Sequence, residues 1–422
     1  RTNVRGDFMK DRTILHCDLN NFFASVECFF APELKKVPVA VCGSKEERHG
    51  IVLAKNELAK KCGVKTAEAI WQAKKKCPDL VTVPPHYDKY VEFSERAKNI
   101  YRDYTDRIEP FGIDECWLDV TGCEWLFGSG EEIAHKIRRK IKHELGITAS
   151  VGVSFNKVFA KLGSDLKKPD AVTVISHENY KEKIWNLPAD SIIGVGRKTI
   201  KVLNNIGIET IGDIGSAPEG LLKELLGKNG EALRLAALGL DNSPVVDERD
   251  SPEAKSIGRS VTCRYSLTSW EDICRVAFSL CEKICYTMQK NCIFTDCIKV
   301  SIKNDNLSVL EKQKKIIQPT NSPSAMYNEA KTLLKDLWNG VSPVRAVGVY
   351  AASLTETGSI CQLSFDSGAE ELQKRDNLEE SVFMIRSKYG TNMLKRAVLL
   401  EELPYSSRDD GQNGTPVQEI CK

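Results

Sequence analysis

Three acidic residues with apolar neighbours have the types and spacing that could do chemistry. Asp18 lies near the end of the apolar run at residues 13–19, and the adjacent pair Asp114 and Glu115 lies in the alternating stretch at residues 109–121. Converging carboxylate oxygens can hold divalent cations, and a pair of such cations can transfer a phosphoryl group to a hydroxyl. A plainer interpretation stays open, in which Asp18 caps the following helix and the pair lies in a surface turn.

Patterns of apolar residues predict the elements that would position these acids. The first half of the chain alternates between short apolar runs, typical of strands, and helical spacing. This alternation predicts an α/β sheet domain. The expected strands are at residues 13–19, 38–41, 51–54, 109–121 and 147–154, and the expected helices are at residues 20–30, 56–62, 68–76, 92–106 and 131–145.

The second half of the chain has a different texture. Short helices separated by glycines are predicted at residues 187–240, and a charged tether at residues 241–256. A compact β-α-β-β-α-β unit follows. Its strands are expected at residues 258–267, 297–302, 309–316 and 345–354, and its helices at residues 270–290 and 324–338. Beyond residue 355 the chain is acidic and polar, which predicts partial disorder with one helix at residues 378–389.

Composition bounds the class of protein. A chain of 422 residues predicts two to four domains. No apolar run is long enough for a membrane span, and no export signal is recognisable, so a cytoplasmic protein is expected. The 15 cysteines are scattered without metal-ligand spacing, which argues against a zinc site and a disulfide framework. A net charge of +2 permits DNA binding without requiring it.

Two motifs make the catalytic interpretation specific. Residues 18–27 read DLNNFFASVE, and residues 113–121 read IDECWLDVT. Together they resemble the palm signature of Y-family translesion DNA polymerases, in the DNA polymerase IV branch. The resemblance implies that Asp18, Asp114 and Glu115 bind two Mg²⁺ ions and catalyse nucleotide addition, with the backbone carbonyl of Leu19 completing one metal site.

The resemblance also suggests which residues bind the nucleotide. Phe23 matches the steric gate, whose bulk beneath the sugar would collide with a ribose 2′-hydroxyl. Phe22 is the neighbouring competitor, and a core aromatic is the alternative for Phe23. Lys168 matches a lysine that meets the triphosphate. Lys60 stands where many members have an arginine, and Glu57 stands where they have a tyrosine, so this region departs from the family pattern.

Other positions leave alternatives open. Asn20 stands where an aspartate is common in the family. Lys157 and Lys161 share a helix face, where simple solvation and a phosphate or primer contact are equally good interpretations.

Two segments resemble the parts of the family that hold DNA. Residues 193–208 resemble a helix-hairpin-helix, in which Gly194, Gly196 and Lys198 would approach phosphates, although the glycines could simply form turns. The β-α-β-β-α-β unit resembles the little-finger domain. Four basic residues along its strands are expected to share one DNA-binding face: Arg259, Arg264, Lys299 and Lys303.

A segment near the carboxyl terminus is similar to a partner-binding peptide. Residues 361–366 read CQLSFD and are similar to the sliding-clamp peptide of bacterial polymerases, in which Gln362, Leu363 and Phe365 would fill clamp pockets. One apolar residue of the usual motif is missing. A polar linker is the alternative.

The resemblance implies an α/β and α+β multidomain protein of right-hand polymerase architecture. The predicted domains are a palm at residues 9–27 and 85–172, fingers at residues 28–84, a helical thumb with the helix-hairpin-helix at residues 173–243, a tether at residues 244–253, a little finger at residues 254–357 and an acidic tail at residues 358–422.

The expected function is error-prone, template-directed DNA synthesis across lesions. The expected partners are primer-template DNA, a deoxynucleoside triphosphate and the bacterial sliding clamp, with no membrane, and the protein is expected to be a monomer. The alternative is a noncatalytic DNA-binding relative that serves as a repair scaffold, given Glu57, Lys60 and the shortened clamp motif. A palm-type nucleotidyl cyclase would leave the helix-hairpin-helix and the little finger unexplained.

Overall fold

The computed structural model of the protein describes residues 12–46, 48, 50–247, 254–356, 369–400 and 402–405. The chain divides into two compact units, one comprising Arg1–Cys42 and Val52–Ser251 and the other comprising Gly43–Ile51 and Pro252–Lys422. Both units combine sheets with helices, as the predicted α/β and α+β class requires. None of the described helices is long and apolar enough to cross a membrane.

The first unit contains eight strands and twelve α-helices among the described residues. In chain order they are β1 (Ile14–Leu19), α1 (Phe22–Phe30), β2 (Val39–Cys42), β3 (Val52–Lys55), α2 (Glu57–Lys61), α3 (Ile70–Lys76), β4 (Val81–Val83), α4 (Tyr87–Arg102), β5 (Ile108–Pro110), β6 (Glu115–Asp119), α5 (Glu124–Phe127), α6 (Gly130–Leu145), β7 (Ala149–Ser154), α7 (Lys157–Leu166), β8 (Val172–Ile175), α8 (Tyr180–Ile184), α9 (Arg197–Asn204), α10 (Ile211–Ser216), α11 (Leu221–Leu226) and α12 (Lys228–Ala237).

A five-stranded sheet in the order β5-β6-β1-β7-β8 forms the centre of the first unit. Helices α4 and α6 pack against one face, where Leu15 and Cys17 of β1 join their core, and α7 packs against the other face. Every residue of β1 is therefore buried. The close approach of α7 depends on Gly152 of β7, because a Cβ atom there would lie 1.8 Å from the carbonyl oxygen of Ala160.

Two smaller assemblies complete the first unit. Strands β3, β2 and β4 form a three-stranded sheet with α2 and α3 against it. The short helices α8 to α12 share a core with α7, in which Phe159 is fully buried. The prediction of short helices in this part of the chain is confirmed.

The second unit is a four-stranded sheet with helices on one face. Its elements are β9 (Ile257–Leu267), α13 (Trp270–Lys290), β10 (Phe294–Asn304), β11 (Val309–Thr320), α14 (Pro323–Leu337), β12 (Val344–Thr355) and α15 (Ala369–Tyr389). The strand order is β11-β10-β12-β9, and α13 and α14 cover the apolar face. The predicted β-α-β-β-α-β order is confirmed.

Two helices differ from the predicted bounds by more than two residues. Helix α4 spans Tyr87–Arg102 rather than residues 92–106, because Tyr90 and Phe93 are buried in the core and begin its apolar stripe earlier. Helix α15 spans Ala369–Tyr389 rather than residues 378–389. Its first nine residues include Ala, Glu, Leu, Gln, Lys and Arg, which form helices well without an amphipathic pattern.

Candidate active site

The register between β1 and β6 places the three predicted carboxylates side by side. Asp18 is paired directly with Glu115 in the antiparallel ladder, and the backbone amide of Leu19 donates to the carbonyl oxygen of Asp114 at 3.0 Å. Directly opposed residues in such a ladder have Cβ atoms about 5 Å apart. Residues far apart in the chain therefore meet at one end of the sheet.

Helix α7 and the loop after it bring two lysines to these carboxylates. Lys168 Nζ lies 2.6 Å from Asp18 Oδ2 and 2.8 Å from Asp165 Oδ1. Lys161 Nζ lies 2.6 Å from Glu115 Oε2. Asp18 and Glu115 are therefore held by ammonium groups from the face of the sheet that α7 covers.

Burial and mutual repulsion set the charge state of the carboxylates. Burial raises the pKa of Asp18 to about 7, although the neighbouring Lys168 ammonium opposes this shift. Burial and the charge of Glu115 raise the pKa of Asp114 to about 6. Burial also acts to raise the pKa of Glu115, but the contacts with His16 and Lys161 outweigh it and lower the pKa to about 2. The site resists carrying all three negative charges without additional positive charge nearby.

The donor chemistry of the cluster fits a divalent cation such as Mg²⁺. Hard cations of this type bind carboxylate and carbonyl oxygens, and the raised pKa values of Asp18 and Asp114 reflect carboxylates that a cation would stabilise. Within the described ranges, no three acidic, histidine or cysteine side chains form a preformed metal cluster. Asp18 instead binds Lys168, which a cation would have to replace, whereas Lys161 binds one of the two oxygens of Glu115.

Helix α1 places its two phenylalanines in different environments. Phe22 is 3% exposed and belongs to the core, whereas Phe23 is only partly buried. The Phe23 ring stacks on Tyr90 with centroids 4.2 Å apart and an interplanar angle of 9°. The Tyr90 hydroxyl in turn donates to the buried carboxylate of Glu27. Phe23 thus presents a rigidly supported ring at the edge of the core.

Asn20 connects the end of β1 to the loop that carries Lys168. Its side chain is buried, and its Oδ1 accepts from the backbone amide of Asp170 at 2.9 Å. Its Nδ2 donates to Ser150 Oγ at 2.9 Å. The asparagine therefore satisfies a structural hydrogen-bond network.

Glu57 and Lys60, the two residues of α2 that depart from the family pattern, contact each other, and Glu57 also contacts Asn21. Asn21 Nδ2 donates to Glu57 Oε1 at 2.7 Å. Lys60 Nζ lies 3.8 Å from the same oxygen, and its side chain is 48% exposed. The Glu57 carboxylate therefore contacts both the side-chain amide of Asn21 and Lys60, the lysine expected to bind the triphosphate.

Lys157 is not a simply solvated side chain. Its Nζ lies 2.6 Å from both carboxylate oxygens of Glu109 and 4.5 Å from the centroid of the Trp117 ring. The two charged side chains are each 12% exposed. Lys157 is held in a mostly buried ion pair, while Lys161 on the same helix reaches Glu115.

Two residues of this site, His16 and Ser164, have no counterpart among the residues predicted from the sequence. His16 is fully buried on β1, with its Nδ1 2.8 Å from Ser164 Oγ and its Nε2 3.5 Å from Glu115 Oε2. Burial lowers the pKa of His16 despite the neighbouring Glu115. Spacing is the sequence feature that could have identified His16, because it precedes Asp18 by two residues and side chains two apart on a strand share a face.

The predicted helix-hairpin-helix residues surround the start of α9. Gly194 has φ +95°, a left-handed backbone conformation that favours glycine. Gly196 is the N-cap of α9, and a Cβ atom there would meet nothing within 4 Å. Lys198 is exposed in the first turn. These groups leave the backbone accessible at this turn.

The expectation that four basic residues share one face of the second unit is wrong for Arg259. Lys299 pairs with Tyr350 and Lys303 with Ala346, on the face opposite α13 and α14. Arg259 pairs with Val349, which is fully buried beneath the helices.

Arg264 lies in a part of β9 that leaves the regular ladder, since the paired positions on β9 jump from Thr262 to Leu267. Its Nη1 contacts Glu402 Oε1 at 2.6 Å. An irregular strand breaks the two-residue period, so a face cannot be assigned from sequence spacing there. The segment at residues 361–366, with Gln362, Leu363 and Phe365, lies outside the described residues.

Comparison with known proteins identifies the relatives of this chain. The impB/mucB/samB family model matches residues 17–165, and the C-terminal domain model of the same family matches residues 254–365. DNA polymerase IV of Acetivibrio thermocellus is 47% identical over 391 residues, covering 93% of this chain and 98% of that protein.

Solved structures give the same result. A Y-family DNA polymerase chimera of Dbh and Dpo4 matches with a TM-score of 0.72 and 30% identity, covering 80% of this chain and 98% of that one. An insertion ternary complex of Dbh DNA polymerase matches with a TM-score of 0.57 and 30% identity, covering 82% of this chain and 100% of that one.

Proposed function

Because the chain belongs to the impB/mucB/samB family of Y-family DNA polymerases, we propose that it extends DNA primers across damaged template positions at the Asp18, Asp114 and Glu115 cluster. The chain is a DNA-directed DNA polymerase of the error-prone, translesion kind. The direct pairing of Asp18 with Glu115, beside Asp114, is the observation that supports this assignment of the site.

Polymerases of this family need divalent metal ions, and two Mg²⁺ ions are the cofactors that the site suits best. When bound, they would activate the primer hydroxyl and stabilise the leaving pyrophosphate. Asp18, Asp114, Glu115 and the carbonyl of Leu19 would hold them. Lys168, released from Asp18, would then bind the triphosphate, because its ammonium group already lies at the carboxylate cluster.

Phe23 is the residue that we assign as the steric gate. Its ring stacks on the fully buried Tyr90 and cannot move inward without displacing that residue. A rigid ring excludes an additional hydroxyl by overlap rather than by hydrogen bonding. Phe22 would therefore act on the nucleotide only by supporting the packing of α1.

Primer extension on a damaged template tests the proposal. The protein, a primer-template with an abasic site and the four deoxynucleoside triphosphates should give extended primers with Mg²⁺ and none with excess chelator. Binding of DNA without extension would instead favour the repair scaffold. A cyclic nucleotide formed from triphosphate without DNA would favour the cyclase.

Glu57 should weaken triphosphate binding, because its carboxylate lies near Lys60 and repels phosphates. Glu57→Gln can keep the hydrogen bond from Asn21 while removing the charge. We expect the KM for an incoming deoxynucleoside triphosphate to fall about 2- to 5-fold, the range for an exposed charge interaction. Steady-state single-nucleotide insertion measures this, with Glu95→Gln, at an exposed acid paired with Lys98 three residues along its helix, as the control. An unchanged KM would contradict the repulsion.

We assign the palm, fingers, helical thumb, tether, little finger and acidic tail to the residue ranges predicted from the sequence. The turn at Gly194, Gly196 and Lys198 would contact backbone phosphates. The open face of the second unit, which carries Lys299 and Lys303, would contact the duplex, and Arg264 would lie at its irregular edge.

Loss of two basic side chains from this open face should lower the salt dependence of DNA binding. Each phosphate contact contributes a slope of about 0.9 in log Kd against log salt concentration, so Lys299→Ala with Lys303→Ala should reduce the slope by about 2. Arg259→Ala is the matched control, because Arg259 lies on the helix side and should leave the slope unchanged. Fluorescence anisotropy across a salt series measures this. Equal slopes for the double variant and the wild type would show that Lys299 and Lys303 on the open face do not contact DNA phosphates.

Partners and location are further parts of this proposal. Primer-template DNA and a deoxynucleoside triphosphate are the substrates, as the ternary complex of Dbh DNA polymerase suggests. The protein would act as a monomer in the cytoplasm and dock on the bacterial sliding clamp through Gln362, Leu363 and Phe365. Clamp docking rests on the sequence similarity of residues 361–366.

A further inference from the structure

His16 lies fully buried beside the carboxylate cluster and is fixed from two sides. Its ring makes an edge contact with Trp117, with centroids 5.2 Å apart. Its Nδ1 lies 2.8 Å from Ser164 Oγ, and that oxygen also lies 2.7 Å from the carbonyl oxygen of Lys161. The carboxylate beside Nε2 favours the neutral tautomer that carries its proton on Nε2, so Nδ1 accepts a hydrogen bond from the Ser164 hydroxyl. The Nε2–H group then points toward Glu115.

The contact between His16 and Glu115 is specific to one carboxylate oxygen. Nε2 lies 3.5 Å from Oε2 of Glu115, and the same oxygen accepts from Lys161 Nζ at 2.6 Å. At 3.5 Å the histidine makes a long electrostatic contact rather than a strong hydrogen bond, and Nε2 has no hydrogen-bond partner among the described residues. Since both contacts go to Oε2, they restrict the rotation of the carboxylate and leave Oε1 as the oxygen available to a cation.

A buried imidazole with an unsatisfied nitrogen is costly as a mere core residue. Leaving a polar group buried without a hydrogen bond costs about 1–3 kcal/mol, and a phenylalanine would provide the same aromatic packing against Trp117 without that cost. The placement of His16 on the strand face shared with Asp18, two residues away, therefore points to a role at the cluster.

We propose that His16, oriented by Ser164, is a positioning residue that holds the Glu115 carboxylate with Oε1 toward the cation site. This inference rests on the proposed function of the cluster. Groups that orient a metal ligand typically change metal affinity or activity about 10- to 100-fold when they are replaced. The expected signature is a change in metal affinity, with nucleotide and DNA binding preserved at saturating metal.

Manganese binding tests the proposal independently of turnover. Mn²⁺ would be titrated into the complex of the protein with a dideoxy-terminated primer-template and the next deoxynucleotide, with free Mn²⁺ measured by electron paramagnetic resonance. His16→Phe should raise the Kd for Mn²⁺ about 10-fold. His16→Gln, which can restore a nitrogen donor, should lie between His16→Phe and the wild type. The half-saturating Mg²⁺ concentration in primer extension should shift in the same order.

Two further variants make the outcome decisive. Ser164→Ala leaves His16 and Trp117 in place and should shift the Kd in the same direction by a smaller factor, so the test stands even if His16→Phe fails to fold. Glu109→Gln, which breaks the ion pair with Lys157 on the same helix, should leave the Kd unchanged. Wild-type Mn²⁺ affinity in both folded His16→Phe and Ser164→Ala would overturn the positioning role.

If the Asp114→Asn and Glu115→Gln double variant bound Mn²⁺ as tightly as the wild type, the proposed function of the cluster would fail instead.

Discussion

Replacing Asp114 by Asn together with Glu115 by Gln should lower the rate of nucleotide insertion on the order of 10³-fold or more, the scale of losing preorganised electrostatic groups at a reacting centre. The two amides preserve the size of the side chains but remove two of the three negative charges that would hold the cations. Asp18 alone, already paired with Lys168, should not hold two divalent ions. Single-turnover insertion on a primer-template measures the loss.

The control for this variant is Glu109→Gln. Glu109 binds Lys157 of α7 much as Glu115 binds Lys161 of the same helix, and both carboxylates lie on neighbouring strands of one sheet. Both variants should lower thermal stability because each leaves a partly buried lysine unpaired. Only the Asp114 and Glu115 variant should lose insertion while keeping salt-sensitive DNA binding. Comparable insertion by that variant and the wild type would place the chemistry elsewhere.

Replacing Phe23 by Ala should admit ribonucleotides. The overlap between the Phe23 ring and a ribose 2′-hydroxyl is expected to cost about 1–3 kcal/mol, as overpacking does in protein interiors, which corresponds to roughly 5- to 150-fold in selectivity. The variant should raise kcat/KM for the ribonucleotide by that factor with a smaller change for the deoxyribonucleotide. Insertion opposite the same template base measures both.

The Phe22→Ala variant distinguishes the steric-gate role of Phe23 from the core-packing role of Phe22. Phe22 is 3% exposed, so its loss should lower the free energy of unfolding by about 3–5 kcal/mol. Discrimination against ribonucleotides should persist in the fraction that stays folded, because the Phe23 ring still stacks on Tyr90. If Phe22→Ala admitted ribonucleotides and Phe23→Ala did not, the two assignments would have to be exchanged.

Residue types and spacing were sufficient to predict most of the strands and helices around the site. The apolar run before Asp18 predicted β1, because burial on both faces leaves a direct mark on sequence. The alternation at residues 109–121 predicted one strand, which the structure divides into β5 and β6 with residues 111–114 between them. The short strands β4 and β8 were not predicted. The early start of α4 was missed because charged residues obscured its buried aromatic stripe.

The partners of each site residue could not be predicted in this way. The two lysines on one face of α7 looked equivalent in the sequence, yet in the structure Lys161 forms an ion pair with Glu115 and Lys157 forms one with Glu109. Arg259 looked like its neighbours along the sheet, yet the register turns it toward the helices. Such differences depend on strand register and on the close approach at Gly152, neither of which has a local signature.

The sequence by itself determined that this protein is a Y-family polymerase with three carboxylates available for metal chemistry, because motif residues and the periodicity of buried strands are local properties. Only the tertiary structure decided which oxygen of Glu115 is held, which aromatic ring stays accessible and which lysines are already paired. Those outcomes follow from contacts between segments far apart in the chain, which pack in one arrangement that no single segment specifies.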